Sequence, residues 1–185
     1  MSTRYAFLMD MDKCIGCRGC GMACKNVNQL EPTMIWRQVY PLDERIYPHR
    51  DRAFLSLACN HCDNPACLAA CPTGSYTRRP DGIVAHHQET CIGCTNCIRS
   101  CPYGAPRFNK AEKHAEKCGL CHERLDAGLQ PACVQACPTG ALTLVDLNTF
   151  QNANAVQYPA GYPAMPRLNP STRFIQPRMP RLLRG

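Results

Sequence analysis

Apolar residues in this chain come in short bursts, never in long runs. The stretch MIWRQVY at 34–40 alternates apolar and polar positions, the period-two signature that predicts a strand. After Cys71-Pro72 the chain predicts a turn, a short strand, a hairpin turn at Asp81-Gly82 and a return strand at 83–85. Helices are expected to be equally brief: single turns at 67–71 and 134–137, and one helix beginning near Leu120 and stopped by Gly128. Nothing approaches the roughly 18 consecutive apolar residues of a membrane span, so no direct membrane span is expected. With 16 prolines and only 7% aromatics, these bursts would assemble a thin apolar core.

Cysteine changes that picture. All 16 cysteines fall into four sets of four: Cys14-Cys17-Cys20-Cys24, Cys59-Cys62-Cys67-Cys71, Cys91-Cys94-Cys97-Cys101 and Cys118-Cys121-Cys133-Cys137. In the first and third sets, three sulfurs are separated by two residues each and a fourth follows after three more. That is the ligand run of a cubane iron–sulfur cluster. The other two sets keep its ends and lengthen its middle. Four runs predict four [4Fe-4S] clusters, which would themselves supply much of the core, as metal does in other small metallo-domains. Gly16, Gly19, Gly93 and Gly119 are expected to let the loops wrap a cube, and Pro72, Pro102 and Pro138 to turn the chain away after the fourth ligand. Lys25 stands at that place in the first set.

Two other uses of the cysteines fit less well. Triplets such as Cys14-Cys17-Cys20 crowd the sulfurs too tightly for independent disulfides. Zinc ribbons join two CxxC pairs across a loop; the fourth set could imitate that, but the sets at 14–24 and 91–101 could not. His61 and His122 sit beside ligands, yet no set is short of a cysteine, so they read as surface groups or groups that tune a cluster by hydrogen bonding. His86 and His87 are expected to be exposed. Trp36 reads as a partner contact or as packing over a cluster. No nucleophile–base pair, Gly-rich nucleotide loop or pterin site is present in the sequence, so no catalytic residue is assigned.

The formal charge of +7 suggests nucleic acid until the thiolates are counted. Sixteen thiolates bring about sixteen negative charges and four oxidised cubane cores return about eight, so the loaded chain sits near −1. No nucleic-acid partner is expected. Residues 1–146 hold 16 basic and 14 acidic groups, whereas 147–185 hold five arginines and no acid. This tail, with six prolines and with Leu168, Phe174 and Ile175 between them, suggests an extended basic arm that docks on a partner, against the plainer reading of a disordered basic end. Residues 1–13 lack the apolar region of a secretory signal, and Arg78-Arg79 is internal, so no export address is expected.

From Cys71 to Cys94 the chain resembles a bacterial two-cluster ferredoxin, in which the fourth cysteine of each run ligates the other cluster. The strand-like YAFLMD before the first set resembles the second half of such a module, and CPTGALTLVD after the fourth set resembles the first half. The resemblance implies an α+β fold of two nested ferredoxin-like 2[4Fe-4S] modules, with small strands, short helices and an extended C-terminal arm. The outer module would take 1–30 plus 111–147 and the inner one 53–110, with an insertion at 31–52 and the arm at 148–185. The implied ligand sets are Cys14, Cys17, Cys20 and Cys137; Cys24, Cys118, Cys121 and Cys133; Cys59, Cys62, Cys67 and Cys101; and Cys71, Cys91, Cys94 and Cys97.

The order of the runs, the Cys62–Cys67 and Cys121–Cys133 spacings and the segment CPYGAPRFN at 101–109 are similar to the four-cluster electron-transfer subunit of the DMSO reductase superfamily. That resemblance implies electron relay between a molybdenum or tungsten bis-pterin catalytic subunit and a quinone-reactive membrane subunit or soluble donor. It places the first-set cluster nearest the catalytic subunit and the third-set cluster at the donor end. It also implies export, already folded, to the extracytoplasmic face with a signal-bearing partner, against a cytoplasmic alternative. The matching subunit of a hydrogenase, formate dehydrogenase or nitrite-reduction system is the second reading, and a non-redox metal scaffold the third.

Overall fold

The computed structural model describes residues 3–42 and 53–177. In chain order the elements are β1 (Tyr5–Asp10), α1 (Gly19–Val27), β2 (Gln38–Pro41), β3 (Phe54–Leu57), α2 (Ala66–Ala69), β4 (Tyr76–Arg78), β5 (Val84–His86), α3 (Asn96–Ser100), β6 (Arg107–Asn109), β7 (His114–Glu116), α4 (His122–Asp126), α5 (Ala132–Gln135), β8 (Leu142–Asp146), β9 (Ala155–Val156) and β10 (Arg173–Ile175). This is a small mixed α/β structure. Helices of four to nine residues are too short to be stable alone, so packing and the loops around the cysteines must hold them. Among the described residues, no helix is long and apolar enough to cross a membrane.

β1 is the central organiser. Its Ala6, Phe7 and Met9 are buried, and it is flanked on both sides. On one side it pairs antiparallel with β8, from Tyr5 opposite Asp146 to Met9 opposite Leu142. On the other it pairs parallel with β10, with Met9 opposite Phe174, and β9 closes that edge. Asp10 ends β1 and its carboxylate accepts the N–H groups of Asp12 and Lys13, a local turn that hands the chain to the first cysteine loop. The remaining strands form three separate hairpins: β2–β3, β4–β5 and β6–β7. Helix α1 packs on α5, and α2 on α3.

Several sequence expectations change in detail. The strand expected at 34–40 survives only as β2, because Ile35 points to solvent and Met34 and Arg37 are buried in irregular chain. β2 pairs with β3, so the 31–52 insertion is tied across the expected boundary at 53; its residues 43–52 lie outside those described. The turn at Asp81-Gly82 is wider than two residues: Gly82 donates to the Arg79 carbonyl and takes φ +83. Gly128 ends α4 as expected, at φ +73. His86 is not exposed: it is half-buried on Tyr76, with ring centroids 4.5 Å apart.

The tail is anchored on its own chain: residues 155–175 fold back to pair with β1. Phe174 is 1% exposed between β1 and β9. Ser171 donates its hydroxyl to the His61 carbonyl and its N–H to that of Asn60. Asp63 gathers Arg4, Arg78 and Asn169 onto one carboxylate, joining the start of the chain, the β4 strand and the tail. Composition did not reveal this packing, because the partner strand of β10, β1, lies more than 160 residues earlier. Residues 178–185 lie outside those described.

Candidate metal centres

None of the sixteen cysteines is in a disulfide. Their electrostatic neighbours sort them. Burial pushes the Cys14 thiol up, and Cys20, Cys137 and Cys17 reinforce it as like charges. Cys24 is raised first by burial and then by Cys118 and Cys133, with Cys121 also contributing. Cys62 is raised by burial and then by Cys59, Cys101 and Cys67. Cys97 has Cys91 and Cys94 beside it, and Cys71 and Cys91 pack on the same small apolar cluster as Cys97. In the first three groups, the last cysteine of one run stands among the first three of another.

The groups are also coupled through their charges in a row. Cys133 faces Cys20 as well as Cys121, which joins the first and second groups. Cys118 faces Cys59, which joins the second and third. The Tyr76 side chain is buried against Cys97, Cys67 and Cys59, which joins the third and fourth.

The loops share one backbone device. The residue two after the first cysteine takes a left-handed conformation in every run: Gly16 (φ +71), His61 (φ +45), Gly93 (φ +69) and Leu120 (φ +56). That turn brings its N–H back onto the first sulfur. His61 N–H lies 3.4 Å from Cys59 Sγ, Leu120 N–H lies 3.4 Å from Cys118 Sγ, and Gly16 donates to Cys14. Of the four glycines expected to serve the loops, only Gly16 and Gly93 need to be glycine for this reason; at Gly19 and Gly119 φ is ordinary. A second left-handed residue, Arg18 or Thr95, starts α1 or α3 in the two CIGC runs.

The fourth cysteines are prepared differently. Burial would raise Cys71, but hydrogen bonds from Thr73 and Ser75 outweigh it and bring the thiol down to about 7. Cys137 is lowered in the same way: burial opposes, while Leu142, Thr139 and Ala141 donate. Both sit in CPTG turns whose glycines, Gly74 and Gly140, have positive φ. Cys24, which lacks such a turn, is raised, and so is Cys101, where burial outweighs the N–H groups of Ala105, Tyr103 and Gly104. Metal loading requires thiolates, and the CPTG turns favour that state at Cys71 and Cys137.

The donor set fits iron–sulfur cubanes. A cavity is lined by Cys59, Cys62, Cys67 and Cys101 together with Lys117 and Tyr103. Among the described residues, no three His, Cys, Asp or Glu converge tightly enough for a single metal ion; a cubane holds its four ligands on separate irons. His61 is 1% exposed, accepts the Val84 N–H at Nδ1, and is held far below the usual imidazole range by burial and by the charges of Lys117 and Arg37. His122 is half-buried and lines a cleft with Trp36, His86 and Lys117. Two buried cations, Arg37 and Lys117, escaped sequence reasoning. The only signal was position: Lys117 precedes Cys118, and Arg37 lies in an alternating stretch where it read as an outward polar residue.

Residues 51–147 match the model of the 4Fe-4S dicluster domain family. A component of the anaerobic dimethyl sulfoxide reductase of Escherichia coli is 39% identical over 150 residues, covering 77% of this chain and 73% of the relative. This chain belongs to that family of iron–sulfur reductase subunits. A component of the tetrathionate reductase of Salmonella typhimurium is 39% identical over 146 residues, 78% of this chain and 58% of its own length. The arsenate respiratory reductase iron-sulfur subunit ArrB of a Shewanella species is 30% identical over 197 residues, 80% of this chain and 84% of its own length.

Proposed function

We propose that this chain is the electron-transfer subunit of a reductase complex. It would carry four [4Fe-4S] clusters between a molybdenum or tungsten bis-pterin catalytic subunit and a quinol-linked membrane subunit or soluble donor. It performs no substrate chemistry alone. The observation that carries the reading is the row of four cysteine groups, each electrostatically coupled to the next. When bound, each cluster supplies a one-electron couple.

The proposed ligand sets are Cys14, Cys17, Cys20 and Cys137; Cys24, Cys118, Cys121 and Cys133; Cys59, Cys62, Cys67 and Cys101; and Cys71, Cys91, Cys94 and Cys97. Strand pairing supports the nested arrangement: β1, before the first run, pairs with β8, after the fourth, while β4 pairs with β5 inside. The helix pairs α1–α5 and α2–α3 repeat the same division. In this reading the first and fourth groups form the ends of the row. The catalytic partner is assigned to the first and the electron donor to the fourth, with the complex on the extracytoplasmic face. The residues' part is to hold thiolates, aim N–H groups at sulfur and keep water from the two middle groups.

Anaerobic purification followed by iron and sulfide analysis and an EPR-monitored redox titration tests this. Four reversibly reducible cubanes are expected, together with a co-purifying pterin-containing large subunit. Zinc in place of iron, or clusters that cannot be reduced, would overturn it. Cys137→Ser should disturb the first-run cluster; a change confined to the fourth run's cluster would refute the exchanged ligands.

A further inference from the structure

Arg37 is 2% exposed, and such burial of a permanent cation is costly unless a counter-charge is near. Among the described residues it has no carboxylate partner. Its Nη1 donates to the Ser56 hydroxyl at 3.1 Å, and that hydroxyl lies 3.4 Å from Cys20 Sγ. Its Nε and Nη2 are buried without an oxygen or nitrogen partner, and the sulfur the guanidinium reaches is that of Cys133. The guanidinium carbon sits 4.3 Å from the centroid of the Phe7 ring, which fixes the plane of the group.

The charge acts on four thiols, in the order Cys133, Cys118, Cys20 and Cys24. Three of these belong to the proposed second ligand set and one to the first, so the cation lies at the junction of two centres. The position is tightly built: a Cβ on Gly21 would come within 2.9 Å of the Arg37 carbonyl oxygen, so α1 can approach this segment only because residue 21 is glycine. Lys117, also a buried cation, is different. Its ammonium is held by the carbonyls of Val84 and Cys118, and those oxygens satisfy two of its donors. Arg37 has donors that meet no oxygen or nitrogen, and it faces sulfur.

Resting on the ligand sets proposed above, we infer that Arg37 is a positioning charge whose counter-ion is the cluster pair itself, and that it sets the potential of the second-group cluster. Reduction adds one electron to a centre already negative through its four thiolates, with no bond made or broken. A fixed cation in a water-poor site favours the more negative state, so removing it makes that reduction harder.

The test is an EPR-monitored redox titration of the full chain, loaded anaerobically, in wild-type, Arg37→Gln and Arg37→Lys forms. Iron and sulfide content is measured on the same samples. A fully loaded Arg37→Gln is expected to lower one cluster's reduction equilibrium at least tenfold, which is 59 mV for a one-electron couple. Arg37→Lys should return most of that shift. A fully loaded Arg37→Gln with a smaller shift, or a rise, overturns the inference. If Arg37→Gln fails to load, Arg37→Lys decides: loading with wild-type potentials supports the charge, while failure to load, or loading with one potential lowered by 59 mV or more, assigns Arg37 to packing and overturns it. A wild-type chain without four reducible cubanes would bring down the functional reading first, and its iron content shows that before any variant is compared.

Discussion

The two CIGC loops and the two interior loops, CNHC and CGLC, use one backbone turn in opposite settings. In the CIGC loops, Ile15 and Ile92 are 61% and 66% exposed and the left-handed position is glycine. In the interior loops the same position carries His61 and Leu120, each 1% exposed. A side chain there costs about 1–2 kcal/mol of backbone strain. Burying it in the core returns more than that for Leu120, about 1.5–3 kcal/mol. The outer loops have no core to fill and take the unstrained residue. Position in the row thus decides the residue, although the geometry at sulfur is the same.

The strongest way to break this comparison is Gly93→Ala. A Cβ there would sit 2.4 Å from the Lys113 carbonyl oxygen, at φ +69. Backbone strain and the clash together should cost about 2–5 kcal/mol and empty the third-run cluster. Gly16→Ala meets only the Phe54 ring, at 2.6 Å, and a side chain can swing aside. Its cost should stay near the strain alone, about 1–2 kcal/mol. Iron content and anaerobic denaturant midpoints of the two variants measure the difference; equal losses would show that the outer loops are not limited by space.

Leu120 sharpens the interior side. Leu120→Ala should cost about 2–5 kcal/mol through the cavity it leaves. Glycine is ordinarily worse than alanine by about 1 kcal/mol, but at φ +56 it also relieves strain. Leu120→Gly should therefore be no less stable than Leu120→Ala. A Gly variant less stable by a full kcal/mol would show that the left-handed turn is not strained.

Legibility in the sequence followed the range of each interaction. Cysteine runs, the 79–83 turn, Gly16, Gly93 and the Gly128 helix stop are local, and their residues announce them. His61 and Leu120 do not announce a left-handed turn, because the rule for that conformation names glycine, and their strain is offset only by a core assembled from distant segments. β10 was hidden because its parallel partner is β1. Arg37 was hidden because alternation describes an exposed strand face, whereas the chain there is irregular and turns the guanidinium inward. Which fourth cysteine joins which run was suggested by flanking segments that resemble a ferredoxin, and spacing alone is silent on it.

The smallest effect concerns acid, and it bears on the outer end of the row. His86 packs at a tilt on Tyr76 beside the third run, with Nε2 buried and without a hydrogen-bond partner. Burial first, then the charges of Lys117, His114 and His87, bring its pKa down to about 4. The unfolded imidazole titrates near 6.5, so between about 6.5 and 4 the unfolded chain binds the extra proton. Stability is fully present above the higher value and is lost as pH falls toward the lower one. Because the ring is only half-buried, solvent screening limits the loss to about 1–2 kcal/mol. His86→Gln removes the titration, so its unfolding free energy should fall less than wild type between pH 7.5 and 5, by that amount. Anaerobic denaturant unfolding at the two pH values gives the comparison. Parallel losses in wild type and variant would mean that the outer end owes its acid sensitivity to other groups.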